Sequence, residues 1–137
     1  MALEMKLEMS GSIEDWCNLK SLLGEIGLTD VEERGEFWLR GVLGHGELIV
    51  GASWGNAPRG GVIRAEGNHG CNFIVNGNLT FRIITALYDE AVATIKTVLT
   101  RLTERTGMQF VLSFQYEEVR AIRDRERSFE WFWNKPR

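Results

Sequence analysis

The chain has 137 residues, the length of one domain, and at that size burial of roughly two-thirds of the unfolded surface supports a fold without a disulfide or a metal. Its 44% hydrophobic and 26% charged shares exclude a chain dominated by disorder, and no apolar run approaches the ~18 residues that cross a bilayer. The net charge of −3 lacks the basic excess of a dedicated nucleic-acid binder.

That charge is unevenly spread. Residues 1–58 carry ten acidic and four basic side chains, a net of −6, and residues 59–137 carry nine and twelve, a net of +3. A local basic patch in the second half is therefore compatible with the acidic total. The first residues alternate apolar and charged side chains, unlike the basic start and unbroken apolar stretch of a signal peptide. A cytoplasmic setting is expected, with Cys17 and Cys71 as reduced thiols.

In chain order, Leu3, Met5, Leu7 and Met9 alternate with Glu4, Lys6 and Glu8, the period of a strand with one buried face. A helix follows. Ser12 is its N-cap, with Asp15 three residues on as in a capping box, and Ile13, Trp16, Leu19, Leu23 and Ile26 form the apolar stripe up to a stop at Gly27. Residues 29–34 are polar and read as a connection.

A glycine-punctuated region of about five strands comes next. Residues 36–43 and 47–54 flank Gly44-His45-Gly46, a hairpin signal. Residues 62–66 read as a short strand. Residues 72–75 and 79–83 flank Asn76-Gly77, and Asn-Gly predicts a type I′ hairpin turn. A second helix is expected over 85–106, with Leu87, Tyr88, Ala91, Ile95, Val98, Leu99 and Leu102 as its stripe and Gly107 as its end. A strand over 108–116 follows, and the last twenty residues predict a strand pair with a turn near 124–127.

The whole chain, 1–137, is thus expected to form a single α+β domain, an antiparallel sheet of about six to eight strands with two amphipathic helices on one face. The alternative is a ferredoxin-like βαββαβ core with a β-hairpin insertion. Neither names an activity.

Signals of chemistry are weak. His45, His69, Cys17 and Cys71 are the soft metal-ligand candidates, but they lack the paired spacing of a structural zinc site, so no metal and no cofactor is expected. Cys71 with His45 and Asn72 is a conceivable nucleophile set on a hairpin, and Gly51-Ala52-Ser53-Trp54-Gly55 spells G-x-S-x-G without the strand-to-helix elbow that chemistry needs. No catalytic residue is assigned, and the expectation leans away from an enzyme.

Three binding readings remain. The leading one is a non-enzymatic inhibitor, immunity-type or regulatory module that contacts another protein, with Asp30, Glu32, Glu33 and Glu36 facing a basic partner. The second is a nucleotide or single-stranded nucleic-acid binder. Arg123, Arg125 and Arg127 would meet phosphates there, and Trp131 and Trp133 would stack on bases, although the interleaved acidic residues can neutralise these arginines. The third is a small-ligand protein or small enzyme with the 51–70 loop as rim, Arg59 with loop N–H groups as the anion contact, Arg64 as a further binding candidate, and Trp38 or Trp54 lining a cavity. Apolar residues on both faces of the middle strands, such as Trp38 and Ile49 beside Leu39 and Val50, call for cover on the second face of the sheet. A homodimer would supply it.

Overall fold

The alternation at the N-terminus builds the centre of the sheet. In the computed structural model, which describes residues 3–55, 61–67, 69–124 and 129–133, β1 (Leu3–Met9) buries Met5, Leu7 and Met9 completely or nearly so. It then leads into α1 (Ile13–Ile26). The Ser12 side chain accepts from the Asp15 N–H, and the Asp15 carboxylate accepts from the Ser12 N–H at 2.9 Å, closing the capping box. Gly27 takes the left-handed conformation at φ 112° and stops the helix, as its position predicts. The buried face is Trp16, Leu19, Leu22 and Leu23, each contributing roughly 2 kcal/mol by leaving water, whereas Ile13 at the start of the stripe is exposed.

Four strands follow: β2 (Thr29–Glu33), β3 (Trp38–Leu43), β4 (Leu48–Trp54) and β5 (Gly77–Ile83). A single 3₁₀ turn, Thr85–Leu87, then opens α2 (Tyr88–Arg105), which buries Ala91, Val92, Ile95, Val98, Leu99 and Leu102. The chain ends in β6 (Phe110–Phe114), β7 (Glu118–Arg123) and β8 (Glu130–Trp131). All eight strands form one antiparallel sheet in the order β2-β3-β4-β5-β1-β6-β7-β8, with both helices packed on one face. The expected α+β architecture is the observed one. Its four middle strands, β4-β5-β1-β6, together with α1 and α2 reproduce the order and connectivity of a βαββαβ unit, so the two expected layouts are combined in a single sheet.

Three local expectations are corrected. Residues 29–34 are not a plain connection, because β2 pairs with β3 along the sheet edge, where charged and fully exposed residues are tolerated. Residues 62–66 form no strand. Asn76-Gly77 is not a hairpin turn: neither residue has a positive φ, and Gly77 starts β5 opposite both Met9 and Trp54. The physical reason is that β5 already has β4 on one side and β1 on the other, so residues 72–75 have no free edge to pair with. They run instead over the helix-free face of the sheet, where Val75 forms a bridge with Gly61.

This crossing segment covers half of the second face. Its Ala65 and Cys71 pack on Val111 of β6 and Ile122 of β7, with Ile63, Phe73, Val119 and Phe132 around them. The His69 ring stacks on Phe132 at 4.7 Å. The segment thus covers β6 and β7, whereas β3 and β4, the doubly apolar strands, keep Trp38, Val42 and Ile49 half-exposed on this face. Among the described residues no helix is long and apolar enough to cross a membrane.

Candidate functional site

The sequence-predicted binding residues fall in separate places. Arg59, Arg125 and Arg127 lie outside the described residues. Arg123, Trp131 and Trp133 gather at the β7–β8 edge, and Arg64 lies on the helix-free face.

Arg123 is engaged within the fold. Its guanidinium donates to the carbonyl of Thr106, the C-cap of α2, at 2.7 Å and to that of Met108, in the connection to β6, at 3.3 Å. Partial burial lowers its pKa from the ordinary arginine value. Trp133 is buried and donates its indole N–H to the Tyr88 hydroxyl at 2.8 Å. Trp131 stacks on Trp133 at 5.5 Å, with Lys96 over its ring and Arg120 over the Trp133 ring. Chain cations thus occupy ring faces that bases would otherwise use. Two buried donors here, Trp131 Nε1 and Arg120 Nε, have no hydrogen-bond acceptor among the described residues. A cavity of about 500 Å³ opens between this cluster and Tyr88, Asp89 and Lys96 of α2.

The edge formed by β2 has a different character. All five of its residues are exposed, Val31 by 51%. Asp30 takes φ 52°, and the ladder to β3 shifts between Thr29 and Glu32. That bulge, with the charges, blunts the edge against pairing with another strand. Lys20 approaches Glu33 and Arg34 approaches Glu32, both at 3.3 Å, while Asp30 and Glu36 form no ion pair among the described residues. On the adjoining face, Trp38, Val42 and Ile49 stand half-exposed, with Arg34 over the Trp38 ring at 4.9 Å. A shallow depression of about 280 Å³ joins Asp30 and Glu32 to Arg40, Val42 and Ile49. The acidic cluster was legible in sequence, but its setting on an edge strand beside an apolar patch was not.

The third place is a cavity of about 440 Å³ between the helix-free face and the start of the crossing segment. Glu8 lies at its base, only 1% exposed. Its carboxylate oxygens accept from the Arg64 N–H at 2.7 Å and the Ala65 N–H at 3.0 Å, fastening the segment to β1. Ser53, Trp54, Arg64, Asn76, Asn78 and Tyr116 contribute to the walls. The cavity borders the described part of the 51–70 loop, but the Trp54 ring itself is buried in the helix-side core, 5.9 Å from the Trp16 ring. Glu8 was missed as a buried residue. Its alternation assigns it to the polar face, and nothing local tells that a loop 56 residues away closes over it.

Cys17 is exposed, Cys71 is buried, and no disulfide joins them. Cys71 Sγ lies 3.9 Å from Asp124 Oδ2, a contact with β7's end rather than with His45. Among the described residues no cluster of three or more His, Cys, Asp or Glu side chains is arranged to hold a metal ion. Comparison with protein-family models, with curated proteins and with solved structures finds no match for this chain.

Proposed function

We propose that the protein is a non-enzymatic binding protein of the inhibitor, immunity or regulatory kind, acting in the cytoplasm by docking a basic partner protein on the β2 edge of its sheet. The observation that carries this reading is the acidic strand, exposed at all five residues, beside the half-exposed Trp38, Val42 and Ile49. An apolar centre rimmed by charge is the anatomy of a protein interface, and the carboxylates would steer encounter with a basic surface. The bulge at Asp30 favours docking through side chains over addition of a strand. The nucleotide reading has less support, since Arg123 and the Trp131–Trp133 pair are engaged within the chain. Self-association is a further use of the same face, because the crossing segment covers only the β6–β7 half.

The test is affinity capture with the wild-type chain and with the Asp30→Lys, Glu33→Lys, Glu36→Lys triple variant. A basic protein held by the wild type and lost from the variant supports the reading. A partner set held equally by both overturns it.

A further inference from the structure

We propose that the cavity above Glu8 binds a small metabolite through a carboxylate or phosphate group held by Arg64. This site is distinct from the β2 edge and does not depend on it. The volume of about 440 Å³ is in the range that small molecules fill.

The polarity of the walls selects an anion. Glu8 is the one carboxylate among the described lining residues, and both its oxygens already accept from backbone N–H groups. The Arg64 guanidinium, by contrast, has no ion pair among the described residues. It lies 5.0 Å from the centre of the Tyr116 ring, and Lys6 lies 6.0 Å from the same ring, so two cations flank one aromatic side chain. A guanidinium resting on a ring keeps its N–H edge available for the two parallel hydrogen bonds that a carboxylate or phosphate accepts.

Further donors converge on the same space. Asn76 uses its Oδ1 to accept from the Gly11 N–H at 3.0 Å, and its amide NH₂ donates to no acceptor among the described residues. Ser53 and Asn78 face each other across β4 and β5, so their side chains stand together on the cavity floor. Val62 and Val75 offer apolar contact to the carbon skeleton. The Arg64 side chain is exposed, and the segment is fastened through its backbone N–H, so truncating the side chain removes the contact with Tyr116 but leaves the hydrogen bond to Glu8 in place.

The test is thermal unfolding of the full chain at fixed ionic strength, titrated with inorganic phosphate, acetate or benzoate, with chloride as the reference. A saturable rise of about 4 °C is expected at tenfold excess over a roughly millimolar Kd. A response to phosphate alone identifies a phosphorylated ligand, and a response to the carboxylates identifies an organic acid. Arg64→Ala should abolish the rise, and Arg64→Lys, which keeps the charge but not the fork, should weaken binding about tenfold. Asn78→Ala should also weaken it, while Arg101→Ala, on α2 away from the cavity, should leave it unchanged. No saturable rise with any of the three probes, or a rise that survives Arg64→Ala, overturns the proposal.

Discussion

Glu47 shows how one side chain ties separate parts of this chain. It sits in the β3–β4 turn and is only 5% exposed. Its Oε2 accepts from the Thr94 hydroxyl of α2 at 2.7 Å and its Oε1 from the His45 N–H at 2.6 Å. Burial works against its charged form, but the hydrogen bonds from Thr94, His45 and its own N–H more than offset this, and its pKa lies below the ordinary 4.5. A carboxyl depressed in the folded state contributes stability that is complete above the unfolded value and lost as pH falls through the folded one. Urea unfolding between about pH 6 and pH 3 should therefore show the wild type losing stability below about pH 4.5. Glu47→Gln should start about 1 kcal/mol lower at neutral pH and fall less steeply across that window. Equal slopes would separate Glu47 from the acid response.

Gly77 is constrained by contact rather than by its backbone angles. A Cβ there would clash with Cε3 and Cζ3 on the edge of the Trp54 six-membered ring. Gly77→Ala should cost about 3 kcal/mol by overpacking. Combined with Trp54→Leu, the loss should fall short of the sum of the single losses, since both changes act on one contact. Simple additivity in urea titrations would show that the two sites do not communicate.

At the scale of elements, the crossing segment belongs to no strand of the sheet and is fastened by side chains and single backbone contacts. These include the Gly61–Val75 bridge, the Glu66 N–H to Tyr116 carbonyl bond at 2.7 Å, a small apolar cluster and the two hydrogen bonds to Glu8. Glu8→Ala leaves the Arg64 and Ala65 N–H groups without their acceptor and should cost about 3 kcal/mol. Amide exchange should rise first in residues 61–67, while β1 and β5 keep their protection through their seven paired positions. Uniform loss of protection across the sheet would mean that the segment and the sheet open as one unit. The helices are secured differently: the C-terminal turns of α1 and α2 are joined by Arg105, whose two nitrogens each lie 2.6 Å from a Glu25 oxygen. The hydrogen bond from Arg105 lowers the Glu25 pKa, but the pair is exposed and weakens with salt.

For the whole molecule, the charge asymmetry becomes spatial asymmetry. The acidic excess of residues 1–58 includes the β2 edge, at the opposite end of the sheet from β7 and β8. A basic partner steered to that edge should associate about tenfold more slowly when ionic strength rises from 0.05 to 0.5 M, with a smaller change in dissociation. Surface plasmon resonance on the captured partner measures both rates. A salt-independent association rate would place the docking surface elsewhere.

The sequence by itself determined the elements that bury one face. β1, α1 with its Ser12–Asp15 box and Gly27 stop, α2 and β6 each carry a period set by their own geometry, so a local window suffices to see them. The acidic cluster and the cavity beside the 51–70 loop were legible as compositions, not as surfaces. Tertiary structure alone decided which edges were free to pair. It made Thr29–Glu33 a strand, turned Asn76-Gly77 from a hairpin into the start of β5, and laid residues 61–75 across the second face. It also gave Glu8 its burial, Arg123 its carbonyls and Gly77 its indole. Each of these depends on a partner outside its own local period, from Leu39 opposite Glu33 to Arg64 above Glu8, and periodicity carries no information about such partners.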